Sequence, residues 1–172
     1  MHEIPTLTTD RLRLRAFHEG DLDAYAAMCA DPEVMRYIAD GRPLDRAASW
    51  RSLGLMLGHW ALRGYGQWAL ELKHDGRFVG RAGLWQPEGW PGLEVGWALT
   101  RSFWGQGLAG EAGQAVLEFA WNRLQAETVI SIIQPDNVAS QRVAERLDLR
   151  LQQKRKLGDQ AVLIFGRARP TT

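Results

Sequence analysis

Hydrophobic and polar positions change period several times along this chain, and each change marks an element. Arg11 to Arg15 reads Arg-Leu-Arg-Leu-Arg, the alternation of a half-buried strand with Leu12 and Leu14 inward. His18 to Asp21 interrupts it, and Asp21 is placed to cap a helix running to about Ala30. Asp31-Pro32-Glu33 restarts a helical turn, with proline where a missing N–H costs nothing. Apolar residues then recur at helical spacing from about Asp45 to Leu62, through Ala47, Trp50, Leu53, Leu57 and Trp60. Gly54 and Gly58 inside this segment argue against a straight, rigid helix.

Gly64-Tyr-Gly66 ends that pattern, and strand signals follow. Gln67 to Leu72 and Arg77 to Trp85 flank His74-Asp75-Gly76, a hairpin turn. The loop Gln86 to Gly92 leads to an apolar run of strand length, Leu93 to Leu99. Three antiparallel strands therefore precede the glycine-rich stretch Gly105 to Gly110. Ala112, Ala115, Val116, Phe119 and Leu124 share one helical face between Gly110 and Leu124. Thr128 to Ile133 is β-branched and nearly all apolar, as in a strand buried on both faces. Val138 to Leu147 is a short helix. Strands from about Leu149 to Lys156 and from Ala161 to Ala168 surround a turn at Gly158-Asp159. No repeat or linker divides residues 1–172, so the pattern predicts one α/β (α+β) domain.

Composition narrows the partners. The 172 residues are 45% hydrophobic and 24% charged, ordinary for a soluble globular protein. A net charge of +1 gives no case for nucleic acid or a membrane surface. No apolar run has signal-peptide or membrane-span character. A single cysteine, Cys29, excludes an internal disulfide and fits a reducing cytoplasm, the expected location. Cys29 reads as a buried structural thiol rather than a nucleophile. The four histidines show no ligand spacing, so no metal is expected. Eight tryptophans imply an aromatic-rich core or pocket wall.

The stretch from Leu93 to Phe119 concentrates the chemistry. A strand, a turn carrying Gly105, Gly107 and Gly110, and a helix N-terminus together make an anion site, because unpaired N–H groups and the helix dipole converge there. Glycine lets the backbone approach a phosphate without a Cβ in the way. Gly105-Gln-Gly107-Leu-Ala-Gly110 also satisfies the dinucleotide fingerprint G-x-G-x-x-G, with Asp136 as a distant acid. A Rossmann strand, however, runs straight into its first glycine within an N-terminal βαβ unit. Here Thr100 to Trp104 intervene and a hairpin-rich half comes first. No Lys-Ser/Thr pair follows the glycines, which argues against a P-loop.

Trp104-Gly-Gln-Gly-Leu-Ala109 resembles the Q/R-x-x-G-x-G/A motif of the GNAT acetyltransferases. The opening TxRLxLRxF, the strand EVGWAL, the turn WGQGLAGEA and the later IxPxNxASxRVAERL are similar to the RimJ/RimL-type branch, in the same order across residues 8–149. Trp104 stands where many superfamily members have Gln or Arg, and Asp148 replaces a Gly common after the Asn-bearing helix. The resemblance implies a mixed, mostly antiparallel twisted sheet of six to seven strands with helices on both faces. It implies acetyl-CoA as co-substrate, with its pyrophosphate on Trp104, Gly105, Gln106, Gly107, Leu108, Ala109 and Gly110. It places the pantetheine arm along Trp97, Ala98 and Leu99, with Asn137, Ser140 and Arg142 within reach.

The superfamily reaction is direct attack of an amine on the thioester, with no acyl-enzyme. Strand alternation puts Glu94, Gly96 and Ala98 on one face, making Glu94 the candidate base and Glu111, in the first turn of a helix, the weaker one. No Tyr follows Tyr65, so Ser140 is assigned to the leaving thiolate. The acceptor is expected to be a peptide N-terminal or small-molecule amine, in a pocket between the helices of residues 30–66 and the loop Gln86–Gly92. Trp50, Trp60, Trp85 and Trp90 are candidates for its wall, and an apolar, uncharged wall would favour a hydrophobic amine. A homodimer is compatible with the sequence. The rival readings are a CoA-binding regulatory domain without turnover and a dinucleotide-dependent oxidoreductase.

Overall fold

One eight-stranded sheet organises the chain in the computed structural model, which describes residues 3–171. The strands are β1 (Leu7–Thr8), β2 (Leu12–Arg15), β3 (Gln67–Leu72), β4 (Phe78–Trp85), β5 (Glu94–Leu99), β6 (Thr128–Ile133), β7 (Arg150–Leu157) and β8 (Gln160–Ala168). Their order is β1-β2-β3-β4-β5-β6-β8-β7, and every pairing is antiparallel except β5 with β6. The extra strand relative to the sequence pattern is β1, whose two residues are too few to show a period. The helices are α1 (Leu22–Cys29), α2 (Pro32–Met35), α3 (Arg46–Arg63), α4 (Leu108–Asn122) and α5 (Val138–Arg146).

Each face of the sheet carries its own core. Leu12, Leu70, Ala82, Leu84, Val95 and Val129 pack with Val116 and Leu117 of α4 and with Ala144 of α5. On the opposite face, Ala69 and Ala98 meet Tyr25, Met28, Met35, Leu53 and Met56 from α1, α2 and α3. Both faces are thus covered, and the residues of β5 alternate between the two cores.

Local chemistry sets the helix limits. The Asp45 carboxylate accepts the Ala48 N–H at 2.7 Å, and Gly64 takes a left-handed φ of 75° to close α3. α3 runs unbroken through Gly54 and Gly58. Its inward stripe is Ser49, Leu53, Met56, His59 and Trp60, which leaves Trp50 52% exposed. Asp21 does not cap α1 with its side chain. Instead, buried Asp21 takes both terminal nitrogens of Arg15 at 2.8 Å and the His18 N–H at 3.0 Å. α4 starts at Leu108, two residues before the apolar pattern suggested, and β6 is fully buried only at Val129, Ser131 and Ile133. Among the described residues no helix is long and apolar enough to cross a membrane.

Candidate active site

β5 and β6 part almost as soon as they meet. Their register holds one pair, Glu94 with Ile130, and the Ile130 N–H bonds the Leu93 carbonyl at 2.9 Å. On the other edge of β5 the Thr100 N–H bonds Val79 of the preceding hairpin. Backbone groups alternate sides along a strand. Glu94, Gly96 and Ala98 therefore turn theirs toward β4, whereas Trp97 and Leu99 face the gap beyond the split. Of the three residues expected along a pantetheine arm, Trp97 and Leu99 offer backbone groups to the gap, and Ala98 pairs with Arg81 on β4. The Trp104 indole closes the far end, donating to the Leu99 carbonyl at 2.8 Å.

The glycine-rich turn follows at once. Gly105 and Gly107 have φ of 73° and 77°, a left-handed conformation that glycine adopts without strain. Gly107 is the N-cap of α4 and supplies no side-chain acceptor, so the first N–H groups of the helix are left without a cap. The first intrahelical bond of the turn is Glu111 N–H to the Gly107 carbonyl. These bare N–H groups and the dipole of a 15-residue helix suit a pyrophosphate. The Glu111 carboxylate accepts from Thr9 Oγ1, from the Arg11 N–H at 2.8 Å and from Arg11 Nε at 2.7 Å. Arg11 in turn donates to the Gln106 carbonyl at 2.9 Å. Burial works to raise the Glu111 carboxyl, but these bonds outweigh it and hold it below its ordinary range. Glu111 is therefore engaged in tying the N-terminal strands to the turn.

Glu94 sits in the fork of the two strands. Its Oε2 accepts from Trp90 Nε1 at 2.8 Å and its Oε1 from the Ile132 N–H at 3.3 Å. In a continued parallel ladder that N–H would bond the Val95 carbonyl; the carboxylate takes its place and bridges the opening. Burial pushes the Glu94 carboxyl up to about 7, against the two hydrogen bonds and the charge of Arg81. A carboxylate poised near neutrality at a strand fork is chemically fit to take a proton.

A cavity of about 720 Å³ opens over this fork. Gly96 forms part of its floor, and a Cβ built there would meet nothing within 4 Å. Ser140, in the first turn of α5, reaches the same cavity, and its Oγ accepts from Trp97 Nε1 at 3.3 Å. Asn137 caps α5 by accepting the Ser140 N–H at 3.2 Å and also lines the cavity. Arg142 is exposed on the outer side of α5 and is not on the cavity wall.

Of the four tryptophans expected on the acceptor wall, Trp85 and Trp90 are there. Trp60 is not, being 2% exposed in the core against Trp68 and Phe119, and neither is Trp50, which faces away. Trp97 takes part instead. The wall is also not uncharged, because Arg81 stands on it beside Gln67. The signal for Arg81 was a single cation inside the apolar run Phe78–Trp85. Tyr37 and the turn at Leu157–Gln160 complete the wall; only tertiary packing brings these distant segments together, through Tyr37 Oη on the Asp136 carbonyl at 3.1 Å and Gln160 Nε2 on the Ala39 carbonyl at 3.2 Å. Cys29 is 1% exposed, and burial pushes its thiol up, as a structural cysteine requires. Among the described residues no cluster of three or more His, Cys, Asp or Glu is arranged to hold a metal ion. The dinucleotide reading fails on topology, since the strand before the glycines is antiparallel to its neighbour β4 and parts from β6.

Comparison with known proteins agrees with this geometry. The acetyltransferase (GNAT) domain family matches residues 11–150. The uncharacterized protein YkkB of Bacillus subtilis (strain 168) is 30% identical over 169 residues, covering 94% of each chain. The crystal structure of the acetyltransferase from Agrobacterium tumefaciens superposes with a TM-score of 0.86 at 31% identity, over 96% of this chain and 95% of that one. RimL, the ribosomal L7/L12 alpha-N-protein acetyltransferase solved with coenzyme A, shares the fold at a TM-score of 0.79 and 20% identity, over 96% of this chain and 97% of its own. With the match running from β2 to the start of β7, the chain belongs to the GNAT acetyltransferase family and is an acyl-CoA-dependent acetyltransferase.

Proposed function

We propose that this enzyme is an N-acetyltransferase that moves the acetyl group of acetyl-CoA to a primary amine, by direct attack in a ternary complex. The observation that carries the reading is the Glu94 fork: a carboxyl held near neutrality between parted strands, facing a cavity large enough for an acceptor. Trp97 and Leu99 would hold the pantetheine arm through their backbone groups, and residues 104–110 the pyrophosphate. Acetyl-CoA supplies the activated acetyl group when bound.

Glu94 takes the proton that the amine must lose. Lysine, near pKa 10.4, needs about 4–5 kcal/mol to become neutral at pH 7, and an α-amine near 7.7–8.0 only about 1–1.4. A carboxylate of pKa about 7 is matched to the second task. An α-amine or another weakly basic amine is therefore the preferred acceptor, which is in line with the α-amine acceptor of RimL. Ser140 Oγ, beside the Trp97 indole, donates a hydrogen bond to the departing sulfur.

Thiol release from acetyl-CoA with a panel of α-amines and lysine-type amines tests the reading, alongside thermal shifts with acetyl-CoA, CoA and NAD. Release with α-amines and stabilisation by both CoA species is expected. CoA binding with no release across the panel would overturn it in favour of a regulatory domain.

A further inference from the structure

We propose that Arg81 binds a carboxylate on the acceptor, so that the amine acetylated here belongs to a molecule carrying an acidic group. This rests on reading the 720 Å³ cavity as the acceptor site. Arg81 and Glu94 are the charged side chains on its wall among the described residues. Arg81 is only partly exposed, and its one side-chain hydrogen bond is Nη1 to Gln67 Oε1 at 3.0 Å. Among the described residues it belongs to no ion pair. Arg15, also on a sheet strand and sheltered, has Asp21 and Glu71 both on its guanidinium. A sheltered guanidinium without a carboxylate is costly, and its fork of donors matches a carboxylate two by two.

The register sets the reach. Gln67 lies opposite Gly83, which pairs with Gly96, and Trp85 pairs with Glu94 one step further along the same face. The bond to Gln67 draws the guanidinium toward the glycine row, about 7 Å along the strands from the Glu94 row. Bare Gly96 leaves the floor between them open. An amine facing Glu94 and a carboxylate on Arg81 thus belong to one small molecule or one terminal residue. Two sources share this chemistry: a free amino acid, through its α-carboxylate, or a peptide beginning with Asp or Glu.

The test uses L-amino acids and their C-terminal amides, with Asp- and Glu-led dipeptide amides against Ala-led ones, read by thiol release from acetyl-CoA. One acidic series is expected to exceed its neutral counterpart in kcat/KM by about 10- to 100-fold, the range of a charge-assisted bond. Arg81→Gln should abolish that preference, read as the acid-to-neutral ratio of kcat/KM, while leaving acetyl-CoA affinity near wild type, and Arg81→Lys should restore part of it. Equal rates for acids and amides, or a preference for acids that Arg81→Gln leaves unchanged, would overturn the assignment. A second readout separates it from the amine-transfer reading: thermal shifts of the CoA complex with N-acetyl-amino acids and their amides. Stabilisation by the acids alone, lost in Arg81→Gln, supports Arg81 even where no amine is turned over; equal stabilisation by acids and amides overturns it.

Discussion

Glu94→Gln separates chemistry from fold, because the carboxyl leaves a mark on stability that owes nothing to turnover. Burial raises it from 4.5 to about 7. Below pH 4.5 both folded and unfolded chains hold the proton, and the full stability of the protonated form is present. As pH rises toward 7 the unfolded chain releases a proton that the folded chain keeps, so stability falls. At about 1.36 kcal/mol per pH unit the loss is about 3 kcal/mol, roughly 6–12 °C in Tm for a chain of this size. Glutamine cannot show this decline. It has one acceptor oxygen for two donors, so either Trp90 Nε1 or the Ile132 N–H loses its partner, at about 1–3 kcal/mol independent of pH. The variant should therefore melt below wild type near pH 5 and approach or pass it near pH 8. Turnover should drop by about 10²- to 10⁴-fold at saturating acetyl-CoA, the usual contribution of a general base. Thermal melts across pH and thiol release measure the two effects. Parallel melting curves would refute the raised carboxyl, and an undiminished rate would refute its role as base.

Trp90→Phe removes a donor to the Glu94 carboxylate, so the midpoint of the kcat/KM–pH profile should move to higher pH; a fixed midpoint would show that the indole does not tune the base. Gly107→Ala forces a side chain into a φ of 77° and should lower stability by about 1–2 kcal/mol and weaken CoA binding by calorimetry; unchanged affinity would place the pyrophosphate elsewhere. Asp148 holds a φ of 59° after α5, and Asp148→Gly should raise Tm by roughly 2–4 °C, corresponding to about 1 kcal/mol.

Much of the sheet and the turn could be read from one sequence, because both rest on short-range rules. The runs Gln67–Leu72 and Thr128–Ile133 coincide with β3 and β6, and of the three glycines singled out Gly105 and Gly107 take a positive φ. Asp148 takes a left-handed φ of 59°, a conformation that glycine adopts without strain. The limits of legibility are equally physical. Trp50 and Ser49 are neighbours on α3, and a rotation of one residue decides which faces the core. The place of Glu94 on a strand face followed from alternation, but its bond to Ile132 depends on two strands parting 38 residues apart. Arg81 is a cation among apolar neighbours, but its bond to Gln67 and its place in no ion pair depend on how the strands pack, as do the carboxylate partners of Arg11, Arg13 and Arg15.

The tie between Arg11, Glu111 and the Gln106 carbonyl bears on how the enzyme is made. The partners are 95 and 100 residues apart, so β1 and β2 pair with each other and with β3 well before the turn they brace has emerged. Closing so long a loop carries an entropic cost that local structure cannot offset. The glycine turn accordingly gains its rim late, and Ser140 is added later still. A nascent chain halted before α4 would lack the turn proposed to hold the pyrophosphate, so on that reading ligand-assisted rescue of a destabilised variant acts only on chains grown past α4.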